Sequence, residues 1–337
     1  MTKLTKREFL QVMAGGCATL ALGALWSNQQ VRAAEDVIVL NDDSLSWVKG
    51  FNYQPSYATH GLDVWVDLNT NRIDYELKKA KELFPAMTAI RVWLSLDAYW
   101  QRREQMPKNV AKFLEIAASA GLKVLPCMTS AWHGTPDFGG VCPETFNLHP
   151  DESFFPYYDD VILSQKDNET VIGWDLCNEP FNNGGGDVFM RWLTAVRNHL
   201  KEKCPDLKLT IASANSLDQA KVLEPLCDFI TDHPYFASPE KMNALTAFAN
   251  EVKKPLLATE VCWGAHDDAS RSAMVENDLT LFNARKVGFM IHALWHSNVA
   301  DLHRPEYGPV APGIGYMGCI ELDGTIRPGH EVINKYL

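Results

Sequence analysis

Eight short apolar runs, separated by amphipathic segments, constrain the fold of this sequence more than any other feature. The runs lie at 47–53, 87–95, 122–129, 171–177, 208–213, 228–233, 255–261 and 287–295. Each is brief and rich in branched or aromatic residues, as strands covered on both faces are. The segments between them carry apolar residues at helical spacing. Over 72–84, Ile73, Leu77 and Leu83 sit among charges, and 109–120, 187–203, 216–226, 241–252 and 270–286 read the same way. Pro107 and Pro239 suit helix starts, and Asp267-Asp268-Ala269-Ser270 reads as a capped N-terminus rather than a cation site. Strands alternating with helices predict a parallel sheet. The even eightfold repeat predicts its closure into a single-domain (β/α)8 TIM barrel of the α/β class, spanning 35–337. An open doubly wound sheet is the alternative. It is usually marked by a glycine-rich phosphate loop after the first strand, and Phe51-Asn52-Tyr53-Gln54-Pro55 is unlike one.

Residues 1–34 stand outside that pattern. A basic start (Lys3, Lys6, Arg7), an apolar run from Phe9 to Trp26 and small residues at Ala33-Ala34 predict an export signal that is cleaved. A retained membrane anchor is the alternative, which Gln11 and the glycines of the run disfavour. Thr5-Lys6-Arg7-Glu8-Phe9-Leu10 resembles a twin-arginine signal, with Lys6 in place of the first arginine. A lipoprotein reading of Cys17 is opposed by the apolar run, most of which follows that cysteine. The expected location is periplasmic or extracellular, with no membrane partner for the mature chain. The formal net charge is −11, and loss of the basic leader makes it more negative. Such a surface repels nucleic acid and anionic lipid, and a neutral substrate suits it better.

Eight cysteines in an exported chain suggest disulfides, but Cys17 leaves with the leader and an odd number remains. Cys127, Cys177 and Cys262 fall inside predicted strands, where a thiol packs as a small hydrophobe. Cys204 and Cys227, each just before a strand, are the pair that could bridge. No pair has zinc-type spacing. Oligomeric state is not legible.

Barrel enzymes place their chemistry at the carboxyl ends of strands. The fourth run closes with Asp175-Leu176-Cys177-Asn178-Glu179-Pro180, and the seventh with Leu257-Ala258-Thr259-Glu260-Val261-Cys262-Trp263. Two carboxylates facing one cleft are what glycoside hydrolysis requires, one to protonate the leaving oxygen and one to attack the anomeric carbon. At roughly 5–5.5 Å apart they would give retention. Alone, either glutamate reads as an ordinary loop acid. Together with a strand-ending arginine, a His-x-Tyr and a tryptophan in the same order, they read as a site.

Those residues resemble clan A of the glycoside hydrolases, and within it the sequence is most similar to family five, the family of many cellulases and mannanases. The resemblance spans 45–337. It implies Glu179 as acid/base and Glu260 as nucleophile. It implies Asn178 as the partner of the sugar 2-hydroxyl and Arg91 as support for the nucleophile. His233 and Tyr235 match the sixth-strand pair, and Trp295 matches the platform beneath the sugar. The family's third-strand histidine has no counterpart in Leu125-Pro126-Cys127-Met128-Thr129-Ser130, and His133 is displaced onto the loop. A divergent or sister branch fits best.

The expected substrate is therefore a β-linked glucan, mannan or derived oligosaccharide, with no cofactor. Asn52 and Tyr53 end the first strand and, with Trp132, His133 and Trp263, are further candidates for sugar contact. Long loops at 130–152 and 296–324, bearing Trp132, Tyr307 and Tyr316, are expected to narrow the cleft toward a pocket for chain ends. Transglycosylation by the same residues is an alternative, as is an idle carbohydrate-binding barrel, which the presence of both carboxylates opposes. A metal-dependent hydrolase barrel would carry His-x-His on the first strand. None is there, and no catalytic metal is expected despite the late cluster of His292, His296 and His303.

Overall fold

The computed structural model describes residues 36–132, 139–299, 301–310 and 313–337. The barrel is one compact unit, Ile38–Leu337. The export-signal reading of 1–34, Cys17 and His133 lie outside the described residues. Among those described, no helix is long and apolar enough to cross a membrane.

All eight expected strands form. They are β1 (Lys49–Asn52), β2 (Ala89–Trp93), β3 (Lys123–Cys127), β4 (Trp174–Asn178), β5 (Leu209–Ala212), β6 (Ile230–Asp232), β7 (Leu256–Val261) and β8 (Gly288–Ile291). Every pairing is parallel, in the order β5-β4-β3-β2-β1-β8-β7-β6. The two ends meet where the Ser213 N–H donates to Thr231 O (3.2 Å) and the His233 N–H donates to Ser213 O (3.0 Å), so the sheet closes.

Several of the helices outside the sheet start where the sequence supplies caps. Ser238 accepts from the Lys241 N–H ahead of Pro239–Val252, and Asp267 accepts from the Ser270 N–H ahead of Asp268–Ala284. The helix Thr70–Leu83 buries Ile73, Leu77 and Ala80 against the sheet. Between β3 and β4 the chain forms short helices, Pro143–Asn147 within the expected loop and Phe155–Ile162 after it, neither of which the sequence pattern disclosed. Cys204 and Cys227 are both free thiols. Cys227 is buried and donates to Leu223 O (3.3 Å), so the bridge that was open to the pair is not made.

The strand period of two sorts the barrel interior into layers. Val48, Ala89, Leu125, Phe229, Leu257 and Met290 fill an apolar floor. Two residues further along β2, Arg91 enters a polar layer, and two further still, Trp93 reaches a second apolar cluster with Cys127, Ala293, Leu302 and Met317. The same step from Met290 brings His292 into the mouth.

Candidate active site

Both glutamates stand beside irregularities in the ladder. The pairing of β4 with β5 shifts register between Asp175 and Asn178, and that of β7 with β8 between Ala258 and Val261. Such bulges turn side chains out of the regular alternation, which is how one strand can aim successive residues at a site. Glu179 and Cys262 also hold left-handed backbones, at φ 51° and 67°. Non-glycine residues adopt that region at a cost, and it concentrates at functional sites. The Glu179 N–H donates to Ala212 O (2.9 Å), tying this strained residue to β5.

Glu260 is 6% exposed and held by two donors. Arg91 Nη1 donates to its Oε1 (2.5 Å) and the Tyr235 hydroxyl donates to its Oε2 (2.7 Å). Arg91 is fully buried and spends every remaining donor on neighbouring strands. Nε and Nη2 reach Asp175 Oδ2 (3.2 and 2.8 Å), Nη1 reaches Asn52 Oδ1 (3.1 Å) and Nη2 reaches Asn178 Oδ1 (2.7 Å). Burial opposes its charge, and the carboxylates of Asp175 and Glu260 overcome that and raise its pKa above the usual value. Burial and the nearby Glu260 push the Tyr235 phenol well up, so it stays a donor.

Glu179, also 6% exposed, has different company. Asn182 Nδ2 donates to its Oε2 (2.6 Å), and its Oε1 lies 2.7 Å from His233 Nδ1. His233 is fully buried, and its desolvation lowers the pKa to about 4 against the pull of Glu260, so the imidazole is neutral near pH 7. It lies between the two carboxylates, with Nδ1 3.6 Å from Glu260 Oε2.

A pocket of about 450 Å3, counting the space at its mouth, opens above these groups. Among the expected residues, Glu179, Glu260, Asn178, Tyr235, Trp132 and Trp263 line it. Arg91 and His233 lie behind the wall and act through the carboxylates. Asn52 does not line it either. It is fully buried, and its Nδ2 donates to Thr259 O (2.8 Å) and Met290 O (3.2 Å) while its Oδ1 holds Arg91. Tyr53 is buried and donates to Glu76 (2.7 Å).

Trp295 is not a floor for a ligand. β8 ends at Ile291, four residues before it, and the indole is fully buried with its ring edge against Tyr75 (6.3 Å), outside the pocket. His292 stands in the mouth instead, edge-on to Trp93 at 5.5 Å. The long loops do reach the pocket, through Ser130 and Trp132 from one and Asp301, Ile314 and Met317 from the other. Tyr307 and Tyr316 do not: the first is exposed, and the second is buried with its hydroxyl on Glu321 (3.2 Å).

Sequence reasoning missed Trp93, Ser130, Asn182, Asp301, Ile314 and Met317. Trp93 was available from the period of two, since it follows Arg91 on the inward face. The loop residues carry no such signal.

Among the described residues, Glu179, His233 and Glu260 are close enough to hold a cation, each offering an atom within 4.8 Å of the others. The guanidinium already bonded to Glu260 repels a second cation there. The arrangement suits acid–base and nucleophilic work by two carboxylates better than it suits metal binding.

No protein-family model matches the sequence, and no curated protein matches it. Solved structures do. An exo-β-1,4-mannosidase from an Opitutaceae bacterium has a TM-score of 0.66 at 16% identity, covering 85% of this chain and 58% of its own. The chain thus spans little more than half that mannosidase. A GH5_18 protein from Streptomyces cattleya in complex with GlcNAc has a TM-score of 0.64 at 14% identity, covering 85% of this chain and 78% of its own. A β-glucuronidase from Bacteroides uniformis has a TM-score of 0.61 at 13% identity, covering 85% and 34%.

This chain has the fold of glycoside hydrolase barrels. At these identities the likeness is one of fold, and the reading of the site rests on the chain's own geometry.

Proposed function

We propose that the chain is a retaining β-glycosidase acting on short β-linked glucan or mannan oligosaccharides or on chain ends. The observation that carries this is the pair of buried carboxylates in unlike surroundings. Oxygens of Glu179 and Glu260 lie within 4.8 Å of each other. That favours the narrow separation of direct attack over the roughly 6.5–9.5 Å that leaves room for an attacking water.

Glu260, bonded to a guanidinium and a phenol, is the ionised nucleophile. Glu179 sits beside a neutral imidazole and an amide, with a second carboxylate close by. Two like charges at that distance oppose ionisation of both, which leaves Glu179 the proton carrier. Glu179 protonates the departing glycosidic oxygen as Glu260 attacks the anomeric carbon. The ester so formed removes the charge of Glu260. Glu179, now ionised, takes a proton from water, and that water breaks the ester and restores both residues. Asn178, fixed by Arg91 and by its own Nδ2 bond to Ser130 Oγ (3.2 Å), is placed to bind the 2-hydroxyl.

The mannosidase and the GlcNAc complex among the structural relatives support a β-linked hexose as substrate. The pocket form supports terminal rather than mid-chain attack. Export of the mature chain, read from 1–34, belongs to the same proposal.

The test is sugar release from β-glucans, mannans, xylans and their oligosaccharides, by the protein and by Glu260→Gln, with and without chelator. Release of single sugars that disappears in the variant and ignores the chelator is the expected result. Release that the chelator abolishes would shift the reading to a metal at Glu179, His233 and Glu260. Folded protein that releases nothing from any glycan would leave a binding role.

A further inference from the structure

Two neighbouring strands end in aromatic rings that the double displacement does not use. β6 is followed by His233-Pro234-Tyr235-Phe236, and β7 by Cys262-Trp263. Three of these rings lie in a row. Trp263 is edge-on to Tyr235 at 4.7 Å and tilted against Phe236 at 5.5 Å. The row leads outward. Tyr235 is buried and bonded to Glu260, Trp263 is half-buried in the pocket wall, and Phe236 stands beyond the pocket at 59% exposure. An exposed phenylalanine in a left-handed backbone is unfavourable on two counts: Phe236 holds φ 54°, and its apolar ring faces water. The surroundings hold it there. Lys241, in the first turn of the helix Pro239–Val252, donates through Nζ to Tyr235 O (2.9 Å), Phe236 O (3.3 Å) and Asn215 Oδ1 (3.0 Å). Trp263 is presented in a similar way, directly after Cys262 at φ 67°. Backbone strain of this kind gathers at ligand sites, where the surrounding structure maintains it.

The mouth decides which part of a ligand the outer rings meet. A sugar whose anomeric carbon reaches Glu260 fills the pocket. Whatever is attached through the glycosidic oxygen must leave by the mouth, past Trp263 and Phe236. A pyranose presents a flat face of C–H groups there, and an aromatic ring is the matching surface, apolar and with an electron-rich face.

We propose that Phe236, backed by Trp263, is the platform for the sugar ring on the leaving side of the scissile bond. The inference rests on the glycosidase reading and deepens it. The pocket takes one terminal sugar, and the platform favours a substrate in which a second sugar follows the first.

The experiment compares kcat/KM of the protein with that of Phe236→Ala, Phe236→Gly and Phe236→Trp on two substrates of the same terminal sugar. One is its β-glycosyl fluoride, which has no leaving sugar, and the other is the β-linked disaccharide. Phe236→Ala and Phe236→Gly are expected to lose roughly 3-fold to 10-fold on the disaccharide, the worth of one aromatic contact, and to match the parent on the fluoride. Phe236→Trp is expected to keep the parent value on both. Phe236→Gly also relieves the left-handed backbone, so it is expected to melt no lower than Phe236→Ala, which separates loss of the ring from loss of the fold. A disaccharide loss no greater than the fluoride loss would overturn the proposal. Failure of the unaltered protein to turn over the fluoride or any oligosaccharide would overturn the glycosidase reading, and the platform with it, so the two failures are distinct.

Discussion

Glu260 and Glu179 are equally buried, at 6% exposure each, and their surroundings differ in kind. The first is gripped by a cation and a phenol, the second by a neutral imidazole and an amide. Burial alone would make both reluctant to ionise. The difference teaches that the roles are set by the neighbours, and that the neighbours are set by strand position. Arg91 is fixed to β1, β4 and β7 at once, and it reaches Glu260 because a bulge in β7 turns that residue inward.

Breaking the comparison at its two centres should give the largest effects. Glu260→Gln removes the proposed nucleophile, and turnover is expected to fall by about 10⁴-fold or more on every substrate, whatever its leaving group. Glu179→Gln is expected to cost about 10²–10⁴-fold on a natural glycan and far less on an aryl glycoside with an acidic phenol, which departs without a proton. Steady-state kinetics on both substrate types, with melting curves to show that each variant folds, checks the pair. The same loss in both variants on the activated glycoside would mean that the two carboxylates are not divided in role.

Tyr235→Phe is the gentler probe of the Glu260 side. It removes one donor to a buried carboxylate and leaves Arg91 in place. A hydrogen bond to a charged group contributes about 1.5–3 kcal/mol, so a fall of roughly 10-fold to 100-fold in kcat is expected. The loss should be shared by good and poor leaving groups, because the phenol acts on the nucleophile. A loss confined to poor leaving groups would place Tyr235 with the acid instead.

Most of this frame is legible in the sequence because strands buried on both faces leave a plain mark. All eight runs became strands, and Asn178, Glu179, Tyr235, Glu260 and Trp263 came to the pocket because a strand end fixes a residue to the mouth of a barrel. What failed did so for local reasons. Trp295 was read as a strand end, but β8 leaves the ladder at Ile291, and a run of apolar residues does not show where pairing stops. Asn52 is inward as expected, yet the polar layer, Arg91 included, consumes its hydrogen bonds before a ligand can. Asp301 and Met317 were invisible because a long loop has no period to place them. The Phe155–Ile162 helix was missed although Tyr157, Tyr158, Val161 and Ile162 recur at helical spacing, because about two turns are too short for the period to stand out.

The smallest expected effect concerns His233, which separates the two halves of the comparison. Its pKa falls from an ordinary 6.5 to about 4 on folding because burial penalises the imidazolium. Above pH 6.5 neither the folded nor the unfolded chain binds the proton there, and between 6.5 and 4 only the unfolded chain does. Stability from this group is therefore complete above about pH 6.5 and is lost as pH falls toward 4. Asp232, next in sequence and raised to about 7 chiefly by burial, works in the opposite sense: its contribution is present at low pH and lost as pH rises through 7. Melting temperatures of the protein and of His233→Asn, measured from pH 8 to pH 4, isolate the histidine, because the aspartate is common to both. The variant is expected to lose less stability than the parent between pH 6.5 and 4. If the two curves run parallel, the imidazole is not held neutral between the carboxylates, and the contrast between an anion-stabilising side and a neutral side loses its physical basis.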